Sequence, residues 1–163
     1  MLMDSGSLKW IAVVACAVLS SASAADEAPV TCPVTQPLAA FIPPAPHEAR
    51  EEGRFWYGNK ALWTSLDDDG IWKGVATATG VRNKLWWWRV GWEPQQDAPY
   101  EGIVVTANRL DGAAPSAHSS GASNGLLATG WAMLVILELP TRGCWQVTGN
   151  YGGDTLSFVV WVP

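Results

Sequence analysis

The chain has 163 residues and a formal net charge of −5, from 10 basic and 15 acidic side chains. One domain is expected at this length, and 48% apolar residues with only 15% charged residues exclude intrinsic disorder as the main state. The acidic balance argues against nucleic acid and anionic membrane surfaces as partners, because both bind clustered Lys and Arg.

Residues 1–24 are predicted to be a secretory signal peptide. Lys9 precedes ten apolar residues, Trp10 to Leu19, and small residues then lead to an Ala-x-Ala site that ends at Ala24. This run is too short for a transmembrane helix, which needs about 20 residues. We therefore predict cleavage after Ala24 or Ala25, export to the periplasm or the cell exterior, and no transmembrane segment in the mature chain.

The same segment leaves one alternative open. Val13-Val-Ala-Cys16 is similar to the lipoprotein box, in which a cysteine becomes the lipidated first residue. A lipid anchor at Cys16 would tether the mature chain by its N-terminus. The apolar run continues past Cys16, which favours plain cleavage over lipidation.

Two cysteines, Cys32 and Cys144, remain after cleavage, and they allow only one pairing. An oxidising compartment favours the disulfide. The bridge would close a loop of about 110 residues, which the chain-entropy model values at about 4–5 kcal/mol. It would also attach the N-terminal part of the mature chain to a C-terminal strand.

Residues 25–53 are predicted to form an extended, Pro-rich arm. Six prolines in this stretch exclude a helix or a central strand, because proline lacks the backbone N–H that both require. The arm is expected to lie along the surface of the domain that follows it.

Residues 54–163 have the pattern of short strands separated by turns. Strands are predicted at 62–66, 71–75, 85–92, 102–110, 133–139, 144–150 and 156–162. The first two are expected to pair as a hairpin across Asp67-Asp-Asp-Gly70, and residues 113–125 to form a mobile loop. No segment has a sustained helical period, so an all-β, single antiparallel β-sandwich is predicted.

Several motifs resemble a group of bacterial secreted proteins with an immunoglobulin-like β-sandwich domain and no established activity. The motifs that carry this resemblance are Phe55-Trp-Tyr-Gly58, Leu62-Trp-Thr64, Asp69-Gly-Ile-Trp72, Leu85-Trp-Trp-Trp-Arg89, Arg109-Leu-Asp-Gly112, Pro140-Thr-Arg-Gly-Cys-Trp145 and Leu156-Ser-Phe-Val-Val-Trp-Val162. The resemblance covers residues 32–162 and implies an immunoglobulin-like fold outside the cytoplasm. The resemblance does not assign a functional role to any residue of this chain. Antibody domains have a second cysteine in an early strand, and this chain has none there, so Cys32 in the arm would be the partner of Cys144.

Three patterns could carry chemistry, and each is incomplete. Gly121-Ala-Ser-Asn-Gly125 matches the nucleophile elbow G-x-S-x-G, but no helix follows it, and His118 precedes Ser123 rather than following it. Asp67, Asp68 and Asp69 are adjacent, whereas calcium loops space their ligands. His47 and His118 lie in unrelated segments with no spare cysteine for zinc. We therefore predict no enzyme, no metal and no cofactor.

The tryptophans are the strongest signal, with 11 in the chain against 3 Tyr and 3 Phe. Neighbours on a strand point to opposite faces, so Trp86 and Trp88 share one face and Trp87 the other with Leu85. They cannot all enter one core. Either the arm covers the outward rings, or they form a ligand or partner site. The candidate binding residues are Trp63, Trp72, Trp87, Arg89 and Trp161.

The sequence thus predicts a non-enzymatic, exported binding or interaction module of the bacterial cell envelope or exterior. A carbohydrate-binding module that uses exposed Trp and a structural envelope protein or lipoprotein are the two alternatives. The partner would be a glycan or an envelope protein. A hydrolase built on Ser123 and His118 is the weakest alternative, because its motif lacks the required context.

Overall fold

The computed structural model describes residues 27–37, 41–47, 49–92, 94, 102–127 and 130–163. The predicted signal peptide, with its alternative lipidation site Cys16, lies outside these residues. The described chain is all-β, with two antiparallel sheets and no helix. In chain order the strands are β1 (Arg54–Gly58), β2 (Trp63–Asp67), β3 (Val75–Ala76), β4 (Val81–Trp88), β5 (Val104–Arg109), β6 (Ala117–His118), β7 (Ala122–Leu127), β8 (Gly130–Leu139), β9 (Gly143–Tyr151) and β10 (Asp154–Val162).

Both sheets combine strands from distant parts of the chain. Sheet 1 has the order β1-β2-β4-β8-β7, with the short β3 paired to β4. Sheet 2 has the order β10-β9-β5-β6. Five of the seven predicted strands coincide with observed ones, namely those at 62–66, 102–110, 133–139, 144–150 and 156–162, and 85–92 overlaps the end of β4.

The predicted hairpin between residues 62–66 and 71–75 is wrong. β2 pairs with β1 on one side and with β4 on the other. Residues 70–72 run instead along β10, where Trp161 donates its N–H to the carbonyl of Gly70 and Trp72 donates to that of Trp161. The acidic turn therefore carries the chain from sheet 1 to the edge of sheet 2.

The mobile loop predicted at residues 113–125 is also wrong in part. Ala117–His118 form β6, and Ala122–Leu127 form β7 at the edge of sheet 1. The Ala-Ser-Asn-Gly sequence of β7 has low intrinsic β propensity. It becomes a strand because β8 offers it a continuous antiparallel partner from Gly130 to Val135.

The main core lies between the sheets and is built from the alternate, inward-facing positions of both. Two interior strands of sheet 1, β4 and β8, each contribute a row of apolar side chains, and β9 and β10 of sheet 2 contribute the opposite rows. The largest fully buried rings in it are Trp87, Trp145 and Phe158. No described helix is long and apolar enough to cross a membrane.

The predicted disulfide is confirmed: Cys32 is bonded to Cys144, and their Cα atoms are 5.5 Å apart. Beyond it the arm follows the edge of sheet 2, where Thr35 donates its N–H to the Val159 carbonyl over 2.9 Å. The backbone N–H of Val159 in turn donates to the Thr35 hydroxyl over 2.8 Å. These bonds satisfy backbone groups that an edge strand would leave open.

The second part of the arm reaches the outer face of sheet 1. Phe41 and His47 both lie with their ring centroids 6.0 Å from that of Trp63. Here a second apolar group, called the outer aromatic cluster, is built from Trp56, Trp63, Trp88 and Ala132, with Phe41, Trp86 and Leu127 packed against it. The arm thus contacts an edge of one sheet and a face of the other.

Candidate binding surfaces

The structure does not bring the five candidate binding residues together. Trp63, Trp72 and Trp87 are buried, with 1%, 6% and 0% of their surface exposed. Arg89 is half-buried, and its guanidinium carbon stands 4.8 Å from the centre of the Tyr151 ring, a cation–π distance. Trp161 is half-buried on β10. Trp63, Trp72 and Trp87 therefore present almost no surface to a ligand.

The interpretation that the arm covers Trp87 is wrong, whereas Trp63 does lie beneath it. Trp87 points inward to the main core, and its ring centroid is 5.8 Å from that of Phe158. The alternation argument itself holds, because Leu85 and Trp87 are in the main core and Trp86 and Trp88 are in the outer aromatic cluster. The sequence alone does not say which face of β4 meets the other sheet.

The first candidate surface is the outer face of sheet 2. Its outward positions on β5, β9 and β10 are mostly hydroxyl and amide side chains, together with Val104, Val159 and Trp161. No Lys, Arg, Asp or Glu occupies an outward position on these three described strands. We call this the neutral face, and its polar members, all exposed or half-buried, are Thr106, Asn108, Gln146, Thr148, Asn150, Thr155 and Ser157.

These polar side chains form rows across the strands. One row pairs Ser157, Thr148 and Thr106, and continues to His118 on β6. The Thr148 and Ser157 hydroxyls are 2.8 Å apart. Hydroxyl groups both donate and accept, so each retains capacity for a further hydrogen bond. Polar side chains in one row are therefore about 4.8 Å apart, the distance between neighbouring strands, and successive rows are about 6.7 Å apart along the strands.

The second candidate surface is a cleft of about 60 Å³ beside the outer aromatic cluster. Trp56 and Trp88 meet edge to face within the cluster, with centroids 5.0 Å apart and planes at 89°. The cleft is lined by Glu51, Arg54, Trp56, Ser65, Trp86, Trp88 and Leu127. Three of the seven lining residues are tryptophans, of which Trp56 and Trp88 are buried, and Glu51 and Arg54 carry the charges.

The charged rim of this cleft is held by hydrogen bonds. Arg54 donates to Asp67 Oδ1 over 2.8 Å, to Ser65 Oγ over 2.9 Å and to the Ser65 carbonyl over 2.7 Å. Burial raises the pKa of Asp67, and the Arg54 guanidinium opposes that rise. Glu51 Oε2 is 4.0 Å from Arg54 Nε and the Glu51 side chain is 62% exposed, so the two form a long, solvent-exposed ion pair.

The sequence motifs for catalysis and metal binding are not assembled into a site. Ser123 lies on β7 in sheet 1 and His118 on β6 in sheet 2. Asp69 Oδ1 accepts the N–H of Ile71, and its other oxygen is 3.7 Å from Lys73. Over the described ranges, no three His, Cys, Asp or Glu side chains are placed to hold a metal ion.

Sequence reasoning missed both surfaces. The neutral face was readable in β9, where Gln146, Thr148 and Asn150 alternate with the buried Trp145 and Val147. The cleft was not readable, because its lining comes mainly from β1, β2, β4 and β7, which only long-range strand pairing brings together. Comparison with protein-family models, curated protein sequences and solved structures found no match.

Proposed function

We propose that this chain is an exported, non-enzymatic binding module with an immunoglobulin-like β-sandwich, and that it recognises a neutral polysaccharide through the neutral face. The observation that carries the proposal is the row structure of uncharged hydroxyl and amide groups on β5, β9 and β10. Export is supported by the signal-peptide pattern and by the Cys32–Cys144 disulfide, which suits an oxidising compartment.

A neutral polysaccharide fits this surface because its hydroxyl groups exchange hydrogen bonds with side chains of both donor and acceptor type. A charged side chain in the contact would lose hydration without gaining an opposite charge, which is costly. The face lacks such charges although the chain as a whole carries −5. Among the described residues, the arm contacts the other outer face at Trp63, whereas the polar members of the neutral face are exposed or half-buried.

The test is retention of the purified mature chain on insoluble neutral polysaccharides, with cellulose and chitin as probes. We expect saturable binding to at least one of them. Gln146→Glu adds a charge to the face with almost no change of shape and should weaken that binding about tenfold, equivalent to about 1.4 kcal/mol.

Asn59→Asp is the matched control. Asn59 lies in the β1–β2 turn, where its side-chain oxygen accepts from the N–H groups of Ala61 and Leu62, and an aspartate keeps those bonds. This control should bind like the unchanged protein. If no probe retains the protein, or if Gln146→Glu binds as well as Asn59→Asp, the proposal fails.

A structural role in the envelope is the second candidate, and the arm favours it. Phe41 and His47 close the outer aromatic cluster, as expected of a domain whose outward tryptophans serve only stability. If this alternative holds, substitutions on the neutral face do not change retention on any polysaccharide, whereas substitutions in the arm lower the free energy of unfolding. Export itself is tested by cell fractionation and by the N-terminal residue of the mature chain, expected to be Ala25 or Asp26.

A further inference from the structure

We propose that the open edge of β1 binds an uncharged peptide segment in extended conformation, which adds to sheet 1 as a further strand. This site consists of main-chain groups at the edge of sheet 1 and is independent of the neutral face on sheet 2. The inference rests on three features: unpaired backbone groups on β1, the contrast with the covered edge of β10, and a groove beside β1 that suits one strand.

The outward backbone groups of β1 follow from its pairing with β2. In an antiparallel pair, residues that exchange hydrogen bonds with the neighbouring strand alternate with residues whose N–H and C=O point away from it. Beyond one end of β1, Asp68 donates its N–H to the Gly53 carbonyl. Beyond the other end, Asn59 donates its N–H to the Leu62 carbonyl. Residues 53, 55, 57 and 59 therefore face β2, and residues 54, 56 and 58 face away from it.

Trp56 is the centre of this open edge. Sheet 1 has no strand beyond β1, and among the described residues no group is hydrogen-bonded to the backbone N–H or C=O of Trp56. The carbonyl of Arg54 and the N–H of Gly58 face the same way. An extended segment placed here would therefore meet alternating donors and acceptors in the spacing of a sheet ladder, which is the way in which peptides add to exposed sheet edges.

The edge of β10 in sheet 2, by contrast, is covered by the chain itself. The Val159 backbone is bonded to Thr35 of the arm, and the Trp161 backbone is bonded to residues 70–72. Soluble proteins cover or blunt their edge strands, because unpaired backbone groups recruit other strands. β1 contains neither a proline nor a lysine that would blunt it. Its edge is thus a position where a further strand can add.

A groove of about 460 Å³ lies beside β1. One wall is the arm at residues 33–36 together with Phe41, and the other wall is β1 itself from Phe55 to Gly58. None of the described residues that line it is charged. A charged side chain in the groove would therefore lose hydration without gaining an opposite charge. The walls favour an uncharged segment with apolar side chains.

The size of the groove matches a segment about as long as β1. One water needs at least about 10–15 Å³ on the measure that gives this groove about 460 Å³. The groove therefore holds roughly 30–45 heavy atoms, or four to five residues of about eight heavy atoms each, and β1 has five residues. A second copy of the chain fits less well, because the arm forms one wall and leaves room for a single strand rather than for the edge of another sheet.

The test is a titration of the purified mature chain with a blocked hexapeptide of alternating valine and threonine. The control peptide has the same sequence with every amide N-methylated, which removes the donors that a sheet ladder requires. We expect saturable binding of the hexapeptide and at least tenfold weaker binding of the control. Equal binding of the two peptides, or no saturable binding of the hexapeptide, would overturn the proposal.

Amide hydrogen exchange measured by NMR locates the added strand. In the free chain, the Trp56 and Gly58 amides should exchange faster than those of Phe55 and Tyr57, which face β2. The hexapeptide should slow exchange at Trp56 and Gly58 at least tenfold, and should affect Phe55 and Tyr57 less. Protection of Trp56 in the free chain, or no gain of protection there at saturation, would contradict the assignment.

Two variants with the same chemical change test the groove wall. Gln36 is exposed and lines the groove, so Gln36→Glu should weaken hexapeptide binding several-fold and leave retention on cellulose and chitin unchanged. Gln146→Glu, on the neutral face, should do the reverse. Equal hexapeptide binding by the two variants would show that the peptide binds elsewhere.

Sedimentation velocity of the free chain tests the competing occupant. We expect a monomer, because the open edge is assigned to a peptide. A dimer that dissociates when the hexapeptide is added would assign the edge to a second copy of the chain and overturn the proposal. Because polysaccharide retention and peptide binding are measured with different ligands and respond to different variants, failure of one proposal is distinguishable from failure of the other.

Discussion

Trp87 of β4 lies against Gly149 of β9 across the interior of the sandwich. A Cβ built on Gly149 would stand 2.5 Å from Cη2 of the Trp87 indole, nearer than real Cβ contacts come. The glycine therefore makes the room in which the Trp87 indole of sheet 1 fits against sheet 2. This contact, rather than the arm, covers Trp87.

The first prediction concerns that contact. Gly149→Ala should lower the free energy of unfolding by about 1–3 kcal/mol, because an added methyl in a packed core forces its neighbours to shift. Urea unfolding measures it. Gly112→Ala is the control, since its Cβ would meet Arg109 at an ordinary 3.4 Å. Equal stability of the two variants would show that Trp87 has more room than the structure gives it.

The alternation of Trp86, Trp87 and Trp88 was predictable from the sequence, but its direction was not. Strand geometry separates Trp87 from its neighbours in any β-sandwich. Only the partner decides which side is inside: Trp87 faces Gly149 and Phe158, and neither is near it in sequence. The disulfide needed no such information, because the predicted cleavage leaves two cysteines, and two cysteines have one pairing.

The errors have a common physical cause. The hairpin between residues 62–66 and 71–75 failed because local turn chemistry at Asp67-Asp-Asp-Gly70 does not determine which strand follows; Ile71 pairs instead with Trp161, in parallel. β7 was missed because its small polar residues become a strand only through β8. Long-range pairing overrides local preference in both cases.

The second prediction concerns the arm. Phe41→Ala should lower the free energy of unfolding by about 2 kcal/mol, roughly half the cost of deleting a fully buried ring, because Phe41 is half-buried against Trp63. Tryptophan emission should also shift to the red as water reaches Trp63. Val30→Ala, at a fully exposed arm position, should change stability by less than about 0.5 kcal/mol. A Phe41→Ala protein as stable as Val30→Ala would show that the arm is not part of the folded unit.

The third prediction concerns the disulfide. Cys32 and Cys144 are 112 residues apart, and the chain-entropy model gives about 4–5 kcal/mol for a loop of that size. Replacing both with serine should lower the melting temperature strongly, and a reductant should do the same to the unchanged protein. A reductant that lowers the melting temperature of the serine variant as well would point to a different cause.

The fourth prediction is a pH dependence at Glu138. Hydrogen bonds from Thr79, Arg82 and Thr77 lower the pKa of its carboxyl group. A lowered folded-state pKa contributes stability that is complete above the ordinary value of 4.5 and is lost as the pH falls through the folded-state pKa. NMR titration should place the Glu138 pKa below 4.5.

Thr79→Val is the matched variant, because the Thr79 hydroxyl donates one of these hydrogen bonds to Glu138 and Thr79 is exposed. The pKa of Glu138 should move upward in this variant, and the acid side of the stability profile should become less steep. A Glu138 pKa that is unchanged by the substitution would show that the hydrogen bond does not form in solution.

The junction of the arm with the last strand also has a consequence in time. Cys32 forms its disulfide with Cys144, and Thr35 its hydrogen bonds with Val159. Both partners are synthesised more than a hundred residues later. A chain that leaves the cell N-terminus first therefore presents its arm and its tryptophan-rich strands before either has anything to pack on. Resistance of residues 27–37 to a protease would appear only once β10 has formed, so under the proposed export, protection of the arm would report completed translocation.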